Sequence, residues 1–325
     1  MTELGNWRVK KMGENLSTRV AYGRALKEFG DDPKVYVFDA DLKSCTMTSY
    51  FAETYKERFF NMGIAEANMV DVAAGFATCG ATAFVHTFAM FACGRVYDQI
   101  RNAVAYPGLN VKIVGSHAGL TVGEDGATHQ CIEDISLMRT MPKMTVIVPC
   151  DAYEAHLATE AMIKRQGPCY LRTGRGAVEC VTDGFKDYYF EIGKGMELTD
   201  GSDVTIIACG LMVQEALKAE KQLAAEGIHA RVIDMHTIKP IDKELILKAA
   251  KETGAIVTAE EHNVIGGLGS AVAEVLVSSE PVPMEFVGVE DTFGHSGSPK
   301  ELLEKYGLTP EHIVECCKKA IGRKK

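Results

Sequence analysis

Strand-like and helix-like periods alternate along nearly the whole chain, and this alternation restricts the fold more than any other feature of the sequence. Ser17 or Thr18 is placed to cap a helix whose apolar side carries Tyr22, Ala25, Leu26 and Phe29, Gly30 ends it, and a strand over 35–38 follows. Downstream the periods predict a helix over 64–79 stopped by Gly80, a strand over 81–86, a helix over 88–105, and strands over 111–114 and 145–148. A helix over 151–164 and a strand around Tyr170 and Leu171 complete the first half. Between about 175 and 202 the pattern fades into glycine-, aspartate- and aromatic-rich sequence, as a domain connection does, which puts a boundary near 190. Strands over 204–208, 230–233, 255–259 and 285–289 then alternate with helices through Leu223, over 243–251, after Gly269 and from Glu311. The expectation is an α/β protein of two doubly wound domains with mostly parallel sheets, over 14–190 and, smaller, over 191–325.

With 325 residues and 46% hydrophobic content, such a chain can bury a sizeable core. A formal charge of −9 argues against nucleic acid or an anionic membrane as the main partner, while leaving room for a local basic pocket. The opening MTELGNWRVKKMGENLS has no apolar core of a secretion signal, and no later run is long enough to span a membrane, so the expected location is the cytoplasm. The 10 cysteines are scattered through apolar segments without a C-x-x-C pair, which predicts reduced, mostly buried thiols. Cys316 and Cys317 are neighbours on a predicted helix and point in different directions, so they are not expected to bridge.

Three segments carry candidate chemistry. The turn from Gly266 to Val272 has glycines, but Val272 stands where a dinucleotide fingerprint needs glycine or alanine, and close helix packing explains it better. Glu66 is a lone carboxylate in the first turn of an otherwise small and apolar helix; by itself it would be read as a helix-dipole partner. The third segment, His117 to Gln130, follows a strand and gathers two histidines and two acids in a glycine-bearing loop, where open α/β sheets bind ligands. The separation of His117 and His129 is not a recognised metal-ligand spacing, and no metal ligands are assigned on this chain.

Four motifs occur together: G-I-A-E at 63–66, T-F-A-M-F at 87–91, G-E-D-G-A-T-H-Q at 123–130 and P-C-D at 149–151. In this order and spacing the chain resembles the transketolase family of thiamine diphosphate enzymes, from about residue 14 onward. The resemblance implies a thiamine diphosphate pyrimidine-binding domain over 14–190 and a transketolase C-terminal domain over 191–325. It makes Glu66 the carboxylate that bonds the aminopyrimidine N1′ and promotes its imino tautomer, in apolar surroundings that disfavour the charged carboxylate. Phe88 and Phe91 are then the aromatic lining of that pocket, with Phe91 stacking; a helix-core pair at i, i+3 is a compatible reading, because a stacking residue must itself be packed. Asp125 and His129 are expected at substrate hydroxyls, and Glu66, His129 and Asp125 form the implied catalytic set. Arg19, His117 and Arg175 are expected on the substrate phosphate; Arg172 is either a second phosphate ligand or a surface strand charge. Either Ser44 or Cys45 stands where the family usually has a serine, and Gly94 where it often has an aromatic.

The family's G-D-G motif with its downstream asparagine, which holds the diphosphate and Mg2+, is missing from this sequence. The resemblance therefore implies a split enzyme: an N-terminal pyrophosphate-binding subunit supplies the magnesium ligands, and the two chains assemble as α2β2. The implied reaction moves a two-carbon ketol unit from a ketose phosphate to an aldose acceptor. Two other readings are a β-type subunit of a 2-oxo acid dehydrogenase, which shares the glutamate and domain order, and a non-catalytic scaffold subunit. A fused deoxyxylulose phosphate synthase relative shares T-H-Q but is expected as one long chain.

Overall fold

The computed structural model describes residues 15–185 and 188–324. The opening segment read for a secretion signal lies largely outside them, as do the outermost residues of the two domain ranges, 14 and 325. Two α/β units with mostly parallel sheets are present. The first begins with α1 (Thr18–Phe29), β1 (Val35–Asp39), α2 (Lys43–Thr46), α3 (Ser49–Thr54), β2 (Phe59–Asn61), α4 (Glu66–Thr78) and β3 (Thr82–Phe88). It continues with β4 (Val111–Ser116), α5 (Asp134–Thr140), β5 (Thr145–Ile147), α6 (Ala152–Lys164) and β6 (Cys169–Arg172). The second contains β7 (Met196–Thr199), β8 (Val204–Ala208), β9 (Ala230–Asp234), β10 (Thr237–Lys239), β11 (Ile256–Asn263) and β12 (Met284–Val289), with helices between and after them.

The first sheet has the order β10-β5-β6-β4-β3-β1-β2 and the second β12-β11-β8-β9-β7. Among the described residues, only strands β10 and β7 run antiparallel to their neighbours. Parallel strands covered by helices on both faces are buried throughout, which is why β4 reads as six buried residues in a row. α4 lays Met69, Val70, Ala73, Ala74 and Ala77 into the same apolar cluster as Phe38 and Val85 of the sheet. That cluster also takes in Ile207, Cys209 and Ile233 from the second unit, so apolar packing runs across the junction. β10 crosses it too: this strand of the second half pairs with β5 of the first.

Two expectations need correction. β3 does not stop at His86 but runs through Phe88, and the segment after it is not one regular helix: Phe91–Arg95 and Ile100–Ala105 form wide π turns on either side of Tyr97–Gln99. β2, β7, β10 and α2, α3 and α5 were not foreseen, because three to seven residues are too few to show a period. The glycine turn before the helix Leu268–Val277 behaves as its packing reading predicts. The amides of Leu268 and Gly269 donate to the carboxylate of Glu260 at 2.7 and 2.8 Å, so the chain itself fills that helix start.

Candidate active site

The register aligns the carboxyl ends of the central strands, with Asp39 beside Asn61 and His86, and Phe88 beside Ser116. Every candidate residue is reached from this edge or the loops above it. Glu66 opens α4 after β2, Phe88 closes β3, Phe91 lies on the first π turn, His117 follows β4, and Arg175 follows β6. Arg19 sits in the first turn of α1.

Phe88, Phe91, His117 and His129 form one aromatic cluster. The Phe88 and Phe91 ring centroids are 6.0 Å apart with planes 20° from parallel. His117 lies 4.1 Å from Phe88, and His129 turns its edge toward Phe91 at 5.5 Å and Phe88 at 6.2 Å. Because Phe88 ends a strand, the pair is not the i, i+3 stripe of one helix. Its partly exposed rings leave apolar surface toward the strand ends.

Glu66 is buried, as its place in an apolar helix suggested, yet its surroundings are not purely apolar. Arg95 Nη1 donates to Glu66 Oε1 at 2.7 Å, and the Arg95 guanidinium lies 4.3 Å from the Phe91 ring centroid. Arg95 escaped sequence reading because its partner is far back in the chain and a 3.6-residue period misplaces side chains on a π turn.

Arg19, Arg175 and His117 converge at the other side of the aromatic cluster. Arg19 Nε donates to the Arg175 carbonyl at 3.2 Å and Nη1 to the Cys45 carbonyl at 2.6 Å. Burial, together with Arg19, Arg175 and His129, pushes the His117 pKa down to about 3, so its ring is neutral at pH 7. The structure thus gives this subsite two guanidinium charges and one neutral imidazole. Ser116 Oγ lies 2.7 Å from His117 Nδ1. His117 has left-handed backbone, φ 57°, directly after the strand, a conformation that cluster packing sustains. Arg175 Nη1 donates to the Val122 carbonyl and lies 3.4 Å from Glu124. Cys45, half-buried, faces this group through its carbonyl, whereas Ser44 is exposed.

Arg172 departs from both of its expectations, being neither a free phosphate ligand nor a surface charge. It is buried, with Nε 2.8 Å from Asp134 and Nη2 2.8 Å from the Glu261 carbonyl. Burial opposes its charge, but Asp134 and Glu261 more than offset that and hold its pKa above the usual range. Asp125 is exposed at the loop rim, four residues before His129, which joins the aromatic cluster.

The loop itself is braced from behind. Gln130 Nε2 donates to the carbonyls of Leu120 and Gly123 at 3.2 Å each and of His295 at 2.9 Å. Glu261 Oε1 accepts from the Thr121 amide at 2.6 Å. Gly119 permits this approach: at φ +82° a Cβ would fall 2.2 Å from the Glu261 carboxyl carbon.

Comparison with known proteins decides the family. The transketolase pyrimidine-binding domain matches residues 14–180, and the transketolase C-terminal domain matches residues 193–313. The chain belongs to the transketolase family. A protein of Methanocaldococcus jannaschii named for a transketolase C-terminal section is 48% identical over 94% of this chain and 97% of its own. The 6-deoxy-6-sulfo-D-fructose transketolase subunit SqwH of Clostridium sp. strain MSTE9 is 44% identical, covering 94% and 95%. A solved structure titled split gene transketolase, inactive beta4 tetramer, superimposes with a TM-score of 0.89 at 52% identity, covering 95% of this chain and all of that one. This transketolase-family chain thus corresponds to a C-terminal subunit of a split enzyme, transferase in type.

Proposed function

We propose that the chain is the pyrimidine-side half of a thiamine diphosphate-dependent transketolase and transfers a two-carbon ketol unit from an anionic ketose to an aldose. The observation that carries this reading is the buried Glu66, linked through Arg95 to the Phe91 ring, at one end of an aromatic cluster whose His117 faces the Arg19 and Arg175 pair. A planar, nitrogen-bearing ring suits this combination: Phe91 offers a face and Glu66 a carboxyl group for a ring nitrogen. The fit already has a chemical stand-in, since a guanidinium makes both contacts here.

Glu66 would hold a proton at that ring nitrogen, and Phe88 and Phe91 would keep the ring in place and water away. Thiamine diphosphate, its aminopyrimidine held by Glu66, Phe88 and Phe91, would supply the nucleophilic carbon that two-carbon transfer needs. His129 would move a proton at a substrate hydroxyl, and Asp125 at the rim would be a second hydroxyl contact. Arg19 and Arg175 would grip the substrate's terminal anion, and a dianion between them favours protonation of His117. A phosphate suits this subsite, and so does a sulfonate, the group named in the relative SqwH.

The diphosphate and its divalent cation fit a different chain. Among the described residues, the one cluster with metal-ligand geometry is Cys150, Glu154 and Asp234, buried at the junction of the two units. We therefore assign the metal ligands to an N-terminal partner subunit, with α2β2 as the assembly and the cytoplasm as the location. Among the described residues no helix is long and apolar enough to cross a membrane. The transketolase relatives favour this reading over a dehydrogenase β-type subunit.

The test is to purify the chain with its companion and assay two-carbon transfer. A companion bearing G-D-G, and turnover requiring both chains, thiamine diphosphate and Mg2+, is the expected result. Glu66→Gln should keep the complex assembled and lower turnover by about a hundredfold or more. Full turnover in that variant refutes the role of Glu66, and a lipoyl acyltransferase as companion would point to the dehydrogenase.

A further inference from the structure

Arg95 occupies the pocket in an unusual way. Its guanidinium is planar and rich in N–H donors; it covers the Phe91 ring at 4.3 Å and donates to Glu66 Oε1 at 2.7 Å. These are the two contacts that the aminopyrimidine needs, one to an aromatic face and one to the buried carboxyl group. Glu66 can accept from more than one donor, but two planar groups cannot both lie on the face of Phe91 that Arg95 covers.

Little else holds Arg95 in place. Its side chain is 49% exposed while that of Glu66 is 4% exposed, so the carboxylate is fixed and the arginine is the movable member. Phe91 and Arg95 lie four apart on the π turn, and the exposed Gly94 before Arg95 adds no side chain to confine it. Compensation of Glu66 explains why the guanidinium goes inward. A buried carboxylate without a partner is costly, and Arg95 relieves that cost until another donor arrives.

We infer that Arg95 is a place-holder: it stacks on Phe91 and pairs with Glu66, and it must swing out for the aminopyrimidine to enter. This rests on the proposed roles of Glu66 and Phe91. Cofactor binding then carries the cost of breaking one cation–π contact and one half-exposed ion pair, and the pocket is protected against other flat cations of similar size.

The experiment is calorimetric titration of thiamine diphosphate, with Mg2+ present, into the complex of this chain and its partner, using wild type, Arg95→Ala and Arg95→Met. Methionine keeps an apolar stem over Phe91 if alanine destabilises the π turn. Losing the competing contacts should tighten binding in both variants by about three- to tenfold. Unchanged or weaker binding in a variant that assembles with the partner overturns the place-holder, and would make Arg95 a contact of the bound cofactor or a bystander. If the wild-type complex binds no thiamine diphosphate at all, the pocket assignment itself fails, a result separate from the Arg95 outcome.

Discussion

Two buried carboxyl groups show how single residues set the pH response of this molecule. Glu154 accepts from the Cys150 amide at 2.6 Å and from the Tyr188 hydroxyl, while Asp234 accepts from the Cys150 thiol at 3.4 Å. Burial, reinforced by Asp151, pushes Glu154 up to about 7, and Asp234 also stands well above the carboxylate range through burial and Glu154. The folded chain therefore binds more protons here than the unfolded chain between about pH 4.5 and 7, and stability falls as pH rises across that window. Glu154→Gln removes one titration, so melting temperatures at pH 5, 6, 7 and 8 should fall less steeply in the variant; equal slopes would show that Glu154 does not carry this pH response. At this scale the sequence singled out Glu66, Phe88, Phe91, His117 and His129, and the fold gathers the last four into one aromatic cluster. Arg95 and the burial of Arg172 were not legible, because both depend on partners distant in sequence.

Among the elements, long helices and buried strands announced themselves by period, and short or irregular ones did not. The π turns after β3 follow neither a strand nor an α-helix period, and they carry Phe91 and Arg95. Such wide turns recur at functional sites. The loop over 117–130 has the same character: its shape depends on Gln130 rather than on a repeating pattern. Gln130 is buried, and its amide group bonds three carbonyls, one of them in the loop before the helix Pro299–Lys305. Gln130→Ala would remove one bond from each of those carbonyls, leaving that of Gly123 its bond from the Gly126 amide, at a cost of about 1–3 kcal/mol. Amide hydrogen exchange over 119–130 should rise in the variant while α1 and α6 stay protected; unchanged protection of the loop would show that Gln130 does not hold it.

Across the whole molecule, two doubly wound units were readable from sequence, but the ties between them were not. Arg172 on β6 bonds Asp134 and the Glu261 carbonyl, and Glu261 on β11 reaches back to Thr121, so both units meet behind the candidate site. Arg172→Met should leave the buried Asp134 without its cation, with the Tyr170 hydroxyl still bonded to it, and cost about 3–5 kcal/mol, measured by chemical denaturation. The loss is expected in one cooperative transition; two separated transitions would show that the units unfold independently. The returning strand β10 has a consequence for anyone dividing the polypeptide. A fragment ending at the connector would lose the cover on β5 and present a raw row of backbone donors and acceptors, inviting stray chains to zip on. For expression and engineering, the smallest sound unit is both halves together.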